Sequence, residues 1–148
     1  MGHIEAEREI AATPEALWAI VSDVRSWERW FTVHAGWAAE PPAEVAKGTT
    51  ITEKIEMLGI ANKIDWTVLD LQPPTKITMV GTGRAEVKVQ FTFAVEPADT
   101  GTKLTLSGNF DGALINGALV KAVERDGIVQ LDTTLRRLDE VARAPACA

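Results

Sequence analysis

Hydrophobic and polar residues alternate along most of the chain, and this pattern predicts β-strands. Residues 85–95 show it most clearly, because valine or phenylalanine occupies every second position between mostly polar residues. Similar alternation predicts further strands at residues 3–11, 49–58, 63–71, 76–82 and 102–110, with a short edge strand near residue 37. Turns are predicted at residues 59–62, 73–74, 81–83 and 97–101, and a bulge or bend at Gly108.

Two short helices and one long helix are predicted around these strands. Thr13 followed by Pro14 is typical of an N-cap and a first helical residue. Ser26 is placed to cap a second short helix that carries Trp27 and Trp30. The long helix is predicted over residues 111–142, where apolar residues recur with helical spacing.

The predicted inner face of the long helix changes character along its length. Its C-terminal half carries an apolar stripe at Leu131, Leu135, Leu138 and Ala142. Continued backwards at about 100° per residue, the same face carries Ile128, Gly127, Glu124, Val120 and Gly117. Because glycine inside a helix costs roughly 1 kcal/mol relative to alanine, these glycines suggest space left open beside the helix. The alternative is a kink at Gly127 that turns Glu124 towards solvent.

The order of strand, two helices, about six strands and a long helix predicts an α+β fold. Strands with one wet face make an antiparallel sheet, which curves around the long C-terminal helix. We expect a single domain over residues 1–142 and a flexible tail at residues 143–148. A second apolar side of the helix predicts packing under the short helices or a weak homodimer, and consists of Ile115, Ala118, Leu119, Ala122 and Val129.

Charge and cysteine content narrow the classes of function. The 148 residues carry a net charge of −6, which argues against non-specific nucleic-acid binding and against adsorption to anionic membranes. The single cysteine, Cys147, leaves no disulfide framework, so a reducing cytoplasmic compartment is expected. No signal peptide and no run long enough for a membrane span are visible.

Two stretches resemble a known superfamily. The opening of the first helix, residues 12–18, has an apolar-x-x-P-x-x-x-V/L-W pattern, and Val21-Ser22-Asp23 is followed by Trp27 and Trp30. With the order of elements, these resemble the SRPBCC or START-like superfamily and its helix-grip fold. The resemblance implies a cavity between sheet and helix that takes a hydrophobic ligand such as a lipid, sterol or polyketide.

Three further stretches, residues 30–34, 59–67 and 73–83, resemble an actinobacterial branch of that superfamily. Members of this branch are labelled polyketide cyclase/dehydrase-like, and one is assigned as the toxin of a type II toxin–antitoxin pair. The resemblance therefore implies two alternatives to simple ligand binding. One is a metal-free polyketide cyclase or dehydratase, and the other is a toxin with an antitoxin partner.

The dry face of the sheet and the inner face of the long helix supply the predicted ligand site. Methionine and aromatic side chains make an adaptable apolar wall, although the same residues would also serve as an ordinary filled core. The predicted ligand-binding residues are Trp30, Phe31, His34, Trp37, Glu53, Ile55, Met57, Asn62, Trp66, Met79, Val89, Phe91, Phe110, Val120, Glu124, Ile128 and Leu131.

Polar residues in phase with the dry side provide the candidate chemistry. A buried carboxylate needs a partner, which an Arg8–Glu53 or an Arg8–Glu124 pair would supply, with the alternative that Arg8 snorkels to an edge of the sheet. Glu53, Glu124 and His34 are the candidates for general acid/base chemistry, against the alternatives of a structural ion pair and a solvated loop histidine. One interior histidine without a second ligand at useful spacing argues against a metal site, and no cofactor is implied.

Overall fold

Seven strands and three α-helices make up the part of the chain described by the computed structural model, which is residues 2–41, 44–57, 60–83, 87–99, 101–112 and 117–143. The strands are β1 (Gly2–Ile10), β2 (His34–Trp37), β3 (Thr50–Met57), β4 (Ile60–Gln72), β5 (Lys76–Thr82), β6 (Lys88–Ala98) and β7 (Gly101–Asp111). The helices are α1 (Pro14–Val21), α2 (Trp27–Trp30) and α3 (Gly117–Arg143), with a 3-10 turn at Val24–Ser26 before α2.

The strands form one antiparallel sheet in the order β1-β7-β6-β5-β4-β3-β2. The chain starts at one edge, crosses to the other edge through α1 and α2, and returns strand by strand to pair β7 with β1. Helix α3 packs along β1 and reaches α2 and β3, and it buries Leu131, Leu135 and Leu138. The predicted helix-grip architecture, a curled sheet around a long C-terminal helix, is confirmed.

Three predicted turn or bulge positions differ from the structure. Asn62 lies inside β4 and pairs with Ile55, so residues 60–62 of the predicted turn belong to a strand, and Gly59 lies outside the described residues. Gly81 lies inside β5, where an added Cβ would stand 2.6 Å from the Ile64 side chain. Gly108 of β7 pairs in regular register with Ile4 of β1 and with Phe91 of β6. The Phe91 ring lies 3.1 Å from the position that a Cβ of Gly108 would take. These two glycines make room for large neighbouring side chains and do not mark breaks in strands.

Helix α3 begins at Gly117 and not at Asp111 as predicted. Asp111 instead pairs with Lys88 and ends β7. Gly117 has φ +54°, which lies in the left-handed region that favours glycine, and a Cβ built at this exposed position would meet nothing within 4 Å. The predicted tail beyond Arg143, and Ile115 of the predicted second apolar side, lie outside the described residues.

Gly127 brings α3 close to β1. A Cβ at this position would stand 2.8 Å from Cγ2 of Ile4. The Ile4 side chain therefore fills the space beside Gly127, and the prediction of open space at this position is wrong. One turn earlier, the Glu124 carboxylate accepts the backbone N–H of His3 at 3.0 Å. Glu124 therefore fixes the start of β1 against the helix.

Replacing Gly127 by alanine tests this close approach. The clash with Ile4 is expected to outweigh the gain in helix propensity, lowering the free energy of unfolding by about 1–2 kcal/mol. Urea denaturation followed by tryptophan fluorescence measures the change. Combining the substitution with Ile4→Ala should cost less than the sum of the two single losses. A Gly127→Ala variant that is more stable than the parent would contradict this expectation, by showing that Ile4 of β1 moves away from the new methyl group at little cost.

Arg8 pairs with Asp139, so both predicted partners of this arginine are wrong. Its Nε donates to Asp139 Oδ2 at 3.0 Å, and the aspartate side chain is only 4% exposed. Glu53 and Glu124 are engaged by other groups. The expectation of a buried acid opposite Arg8 holds, but the acid comes from the C-terminal half of α3, 131 residues along the chain.

Several apolar side chains of α3 face solvent. Ile128 is 48% exposed, so its predicted place on the inner face is wrong: about 100° of rotation separates it from the buried Gly127. Leu119 and Val129 of the predicted second apolar side are also exposed.

None of the helices that the structure describes has the length and apolar character of a membrane-spanning segment.

Candidate functional site

A buried histidine–glutamate pair lies where β2 meets β3. Glu53 is the fourth residue of β3, a strand whose odd-numbered residues face inward, and its side chain is 0% exposed. His34 begins β2, and its side chain is 3% exposed. The His34 Nδ1 atom lies 2.5 Å from Glu53 Oε2. This distance is that of a strong charge-assisted hydrogen bond.

Trp66 holds the second oxygen of the same carboxylate. Its indole Nε1 donates to Glu53 Oε1 at 2.8 Å. In the register of β3 and β4, Glu53 pairs with Ile64, so Trp66 is its diagonal neighbour on the inner face. Both carboxylate oxygens are therefore occupied, and we call these three residues the His34–Glu53–Trp66 cluster.

The cluster fixes the direction of the hydrogen bonds of His34. An ionised carboxylate only accepts hydrogen bonds, so the Nδ1 atom carries the proton that points at Glu53. In the neutral ring this leaves a lone pair on Nε2, on the side of the ring away from Glu53. Nε2 makes no hydrogen bond to any residue that the structure describes. As far as the described residues go, the neutral ring therefore offers Nε2 as an acceptor on a side chain that is 3% exposed.

A β-bulge places His34 and Trp37 on the same side of β2. His34 pairs with Ile55 and Gly36 with Lys54, so Ala35 is an extra residue in the strand. Without it, residues three apart would point to opposite faces. The Trp37 ring instead lies 4.4 Å from the His34 ring, centroid to centroid.

Aromatic rings support the loop that carries His34. Trp27, Trp30, Phe31, Phe91 and Phe93 form a continuous set of edge-to-face, stacked and tilted contacts, which we call the aromatic cluster. Trp37 joins it through Trp27, with ring centroids 5.9 Å apart. Trp30 and Phe31, predicted as ligand-binding residues, thus belong to a packed support beneath the site.

Helix α3 also fixes this loop. The backbone N–H of Thr32 donates to Thr134 Oγ1 at 3.1 Å, and the Thr32 hydroxyl donates to the Gln130 carbonyl oxygen at 3.1 Å. Thr134 is fully buried. The position of His34, two residues further on, is therefore set jointly by α3, the aromatic cluster and β3.

The other predicted site residues fall into three groups. Leu131, Met79, Phe91 and Phe110 are buried together with Trp66. A half-buried group consists of Trp37, Ile55, Asn62, Val89, Val120 and Glu124. Ile128 is exposed, and the side chain of Met57 lies outside the described residues. As residues that contact a ligand, all of them stay a prediction.

Sequence reasoning identified Glu53 and His34 separately and missed their pairing, the role of Trp66 and the Thr32–Thr134 contact. The sequence predicts that Trp66 lies on the inner face of its strand. It does not predict the register of β3 and β4 that places Trp66 beside Glu53. Among the described residues, no group of three or more His, Cys, Asp or Glu side chains is arranged to hold a metal ion. The chemistry on offer is proton or hydrogen-bond exchange at Nε2.

Two proteins of Mycobacterium tuberculosis are similar to this chain in sequence. Protein Rv1546 of Mycobacterium tuberculosis is 26% identical over 141 residues, which cover 95% of this chain and 99% of that protein. The toxin Rv0910 of the same organism is 28% identical over 119 residues, covering 80% of this chain and 83% of the toxin.

A solved START superfamily protein from Mycobacterium smegmatis shares the fold. It superimposes with a TM-score of 0.76 at 18% identity, covering 95% of this chain and 99% of that protein. The family described as polyketide cyclase / dehydrase and lipid transport matches residues 1–143. The chain therefore belongs to the polyketide cyclase/dehydrase and lipid transport family.

Proposed function

We propose that the protein binds a hydrophobic small molecule between the sheet and α3, with the His34–Glu53–Trp66 cluster as the polar end of the site. The burial of the His34–Glu53 pair carries this proposal. Replacing a buried ion pair by apolar residues of similar volume is often neutral or stabilising. A pair kept at 3% and 0% exposure in an apolar wall therefore favours a role in recognition over one in stability.

Apolar side chains on the inner face of the sheet suit an apolar ligand. Met79, Phe91 and Phe110 come from three neighbouring strands and combine adaptable with rigid apolar surfaces. Half-buried Ile55 and Val89 extend the same inner face. The family description, which includes lipid transport, supports a hydrophobic ligand of this kind.

Native mass spectrometry of freshly purified protein, followed by organic extraction, tests the proposal. We expect a co-purifying hydrophobic molecule, or a rise in melting temperature with members of a panel of lipids and aromatic polyketides. A mass equal to the bare chain, with no thermal shift across the panel, would indicate a filled core and contradict the proposal.

The histidine–glutamate pair also favours a second candidate, a cyclase or dehydratase. In a dehydration, His34 Nε2 would take a proton from the carbon next to a carbonyl group and return it to the β-hydroxyl, so that a C=C bond forms as the C–O bond breaks and water leaves. Glu53 would orient the ring and stabilise the imidazolium. Glu53→Gln should then abolish turnover, while Glu124→Gln should retain it because Glu124 binds the backbone of β1. Full turnover in Glu53→Gln would exclude this candidate.

The relationship to Rv0910 favours a third candidate, a cytoplasmic toxin with an antitoxin partner. Induced expression in a mycobacterial host, with colony counts as the readout, distinguishes it from the other two. Growth arrest that persists in a ligand-site variant such as Glu53→Gln would point to a protein partner on the outer surface. Normal growth on induction would argue against a toxin.

A further inference from the structure

We infer that the ligand presents a neutral O–H donor, such as a phenol, enol or alcohol, to Nε2 of His34, and that the cluster selects against a carboxylate head group. This inference rests on the proposed function and deepens it. It names the polar group that a hydrophobic ligand must carry to use this site.

The hydrogen bonds within the cluster determine whether the ligand has to donate or accept a hydrogen bond. Trp66 donates to one oxygen of Glu53, and His34 Nδ1 lies 2.5 Å from the other, where an ionised carboxylate can only accept. Neither carboxylate oxygen therefore has to bind the ligand. The remaining polar atom is Nε2, which accepts in the neutral ring. A ligand that donates an O–H completes this chain of hydrogen bonds, whereas an ether or ester oxygen of the same shape leaves Nε2 without a partner.

The charges of the cluster argue against an anionic ligand. A protonated His34 would carry one positive charge, but Glu53 at 2.5 Å already compensates it. Arg8, the arginine on the inner side of β1, is committed to Asp139. A carboxylate bound at Nε2 would therefore add a second buried negative charge near Glu53 without a second cation from these residues.

Three naphthalenes that differ only in the polar group test the inference: 2-naphthol, 2-methoxynaphthalene and 2-naphthoate. Their affinities for the full chain are measured at pH 7 by quenching of tryptophan fluorescence and by calorimetry. We expect 2-naphthol to bind about 3- to 10-fold more tightly than 2-methoxynaphthalene, as one neutral hydrogen bond provides. 2-Naphthoate should bind most weakly of the three.

The Glu53→Gln variant distinguishes hydrogen-bond direction from mere packing. The amide oxygen of the new side chain still accepts from Trp66, and its NH2 group now donates to His34 Nδ1. This moves the ring proton to Nε2 and turns the free acceptor into a donor. The preference for 2-naphthol over 2-methoxynaphthalene should fall to about 1 or invert. Glu56→Gln is the matched control, because Glu56 is an exposed residue on the same strand, and it should keep the parental ratio.

The possible outcomes distinguish failure of the O–H inference from failure of the proposed hydrophobic site. Equal binding of 2-naphthol and 2-methoxynaphthalene would overturn the inference and leave the proposed hydrophobic site intact. Tightest binding by 2-naphthoate would also overturn it, by showing an anion site. An unchanged 2-naphthol preference in Glu53→Gln would show that the hydroxyl is bound elsewhere. If none of the three compounds binds, the proposed function fails together with the inference.

Discussion

Replacing His34 by leucine is expected to lower the free energy of unfolding by about 3–5 kcal/mol, because it leaves one oxygen of the buried Glu53 carboxylate without its hydrogen-bond partner. Glu53 is 0% exposed, so its carboxylate is shielded from water. The hydrogen bond from Trp66 satisfies only one of the two carboxylate oxygens. Urea denaturation at pH 7, followed by circular dichroism, measures the loss.

The double variant His34→Leu/Glu53→Leu should recover most of that stability. Removing both members of a buried pair takes away the desolvation cost along with the attraction, and the leucines pack against Ile51 and Ile64 of the neighbouring positions. The same variant should lose the preference for 2-naphthol. A single variant within about 1 kcal/mol of the parent would instead mean that Glu53 is readily neutralised or rehydrated.

These two variants separate stability from function. If the double variant is as stable as the parent but no longer selects ligands, the polar pair is retained for recognition and not for folding. This outcome would match the position of the pair on β2 and β3, away from the contacts that fix α3 to β1. Those contacts include the Arg8–Asp139 pair and the close approach at Gly127.

The sequence predicts the fold well because its signals are local. Alternation along each strand, the cap at Thr13 and the leucine stripe of α3 each involve neighbouring residues, and together they leave few arrangements. The resemblance in residues 12–30 then agrees with the family that the full chain matches. Element ends were less accurate, since residues such as Asp111 are held in a strand by partners far along the chain.

The candidate site was less predictable because its contacts depend on register. Arg8 had several acids in phase with it, and only the packing of α3 on β1 selects Asp139. The bulge at Ala35 brings Trp37 to the same side of β2 as His34, and no residue type in that segment predicts a bulge. Gly127 looked like open space because a sequence does not show that Ile4 fills it.

Replacing Phe93 by alanine is expected to cost about 3–5 kcal/mol, among the largest losses for any single core side chain. Phe93 is fully buried, and its ring lies 5.1 Å from Phe91 and 5.9 Å from Trp27, centroid to centroid. Truncation removes these contacts and leaves a cavity in the aromatic cluster. Urea denaturation measures the loss, and Leu69→Ala is the control.

The control separates burial from residue type. Leu69 is also an apolar strand residue, but it is the extra residue of a bulge in β4 and is 50% exposed, so its truncation should change stability by no more than about 0.5 kcal/mol. Equal losses for the two variants would contradict the packing described. Because Trp27 connects Phe93 to Trp37, and Trp37 lies against His34, a loosened aromatic cluster should also weaken the 2-naphthol preference. A Phe93→Ala protein that folds yet keeps the full preference would show that β3 and α3 alone hold His34 in place.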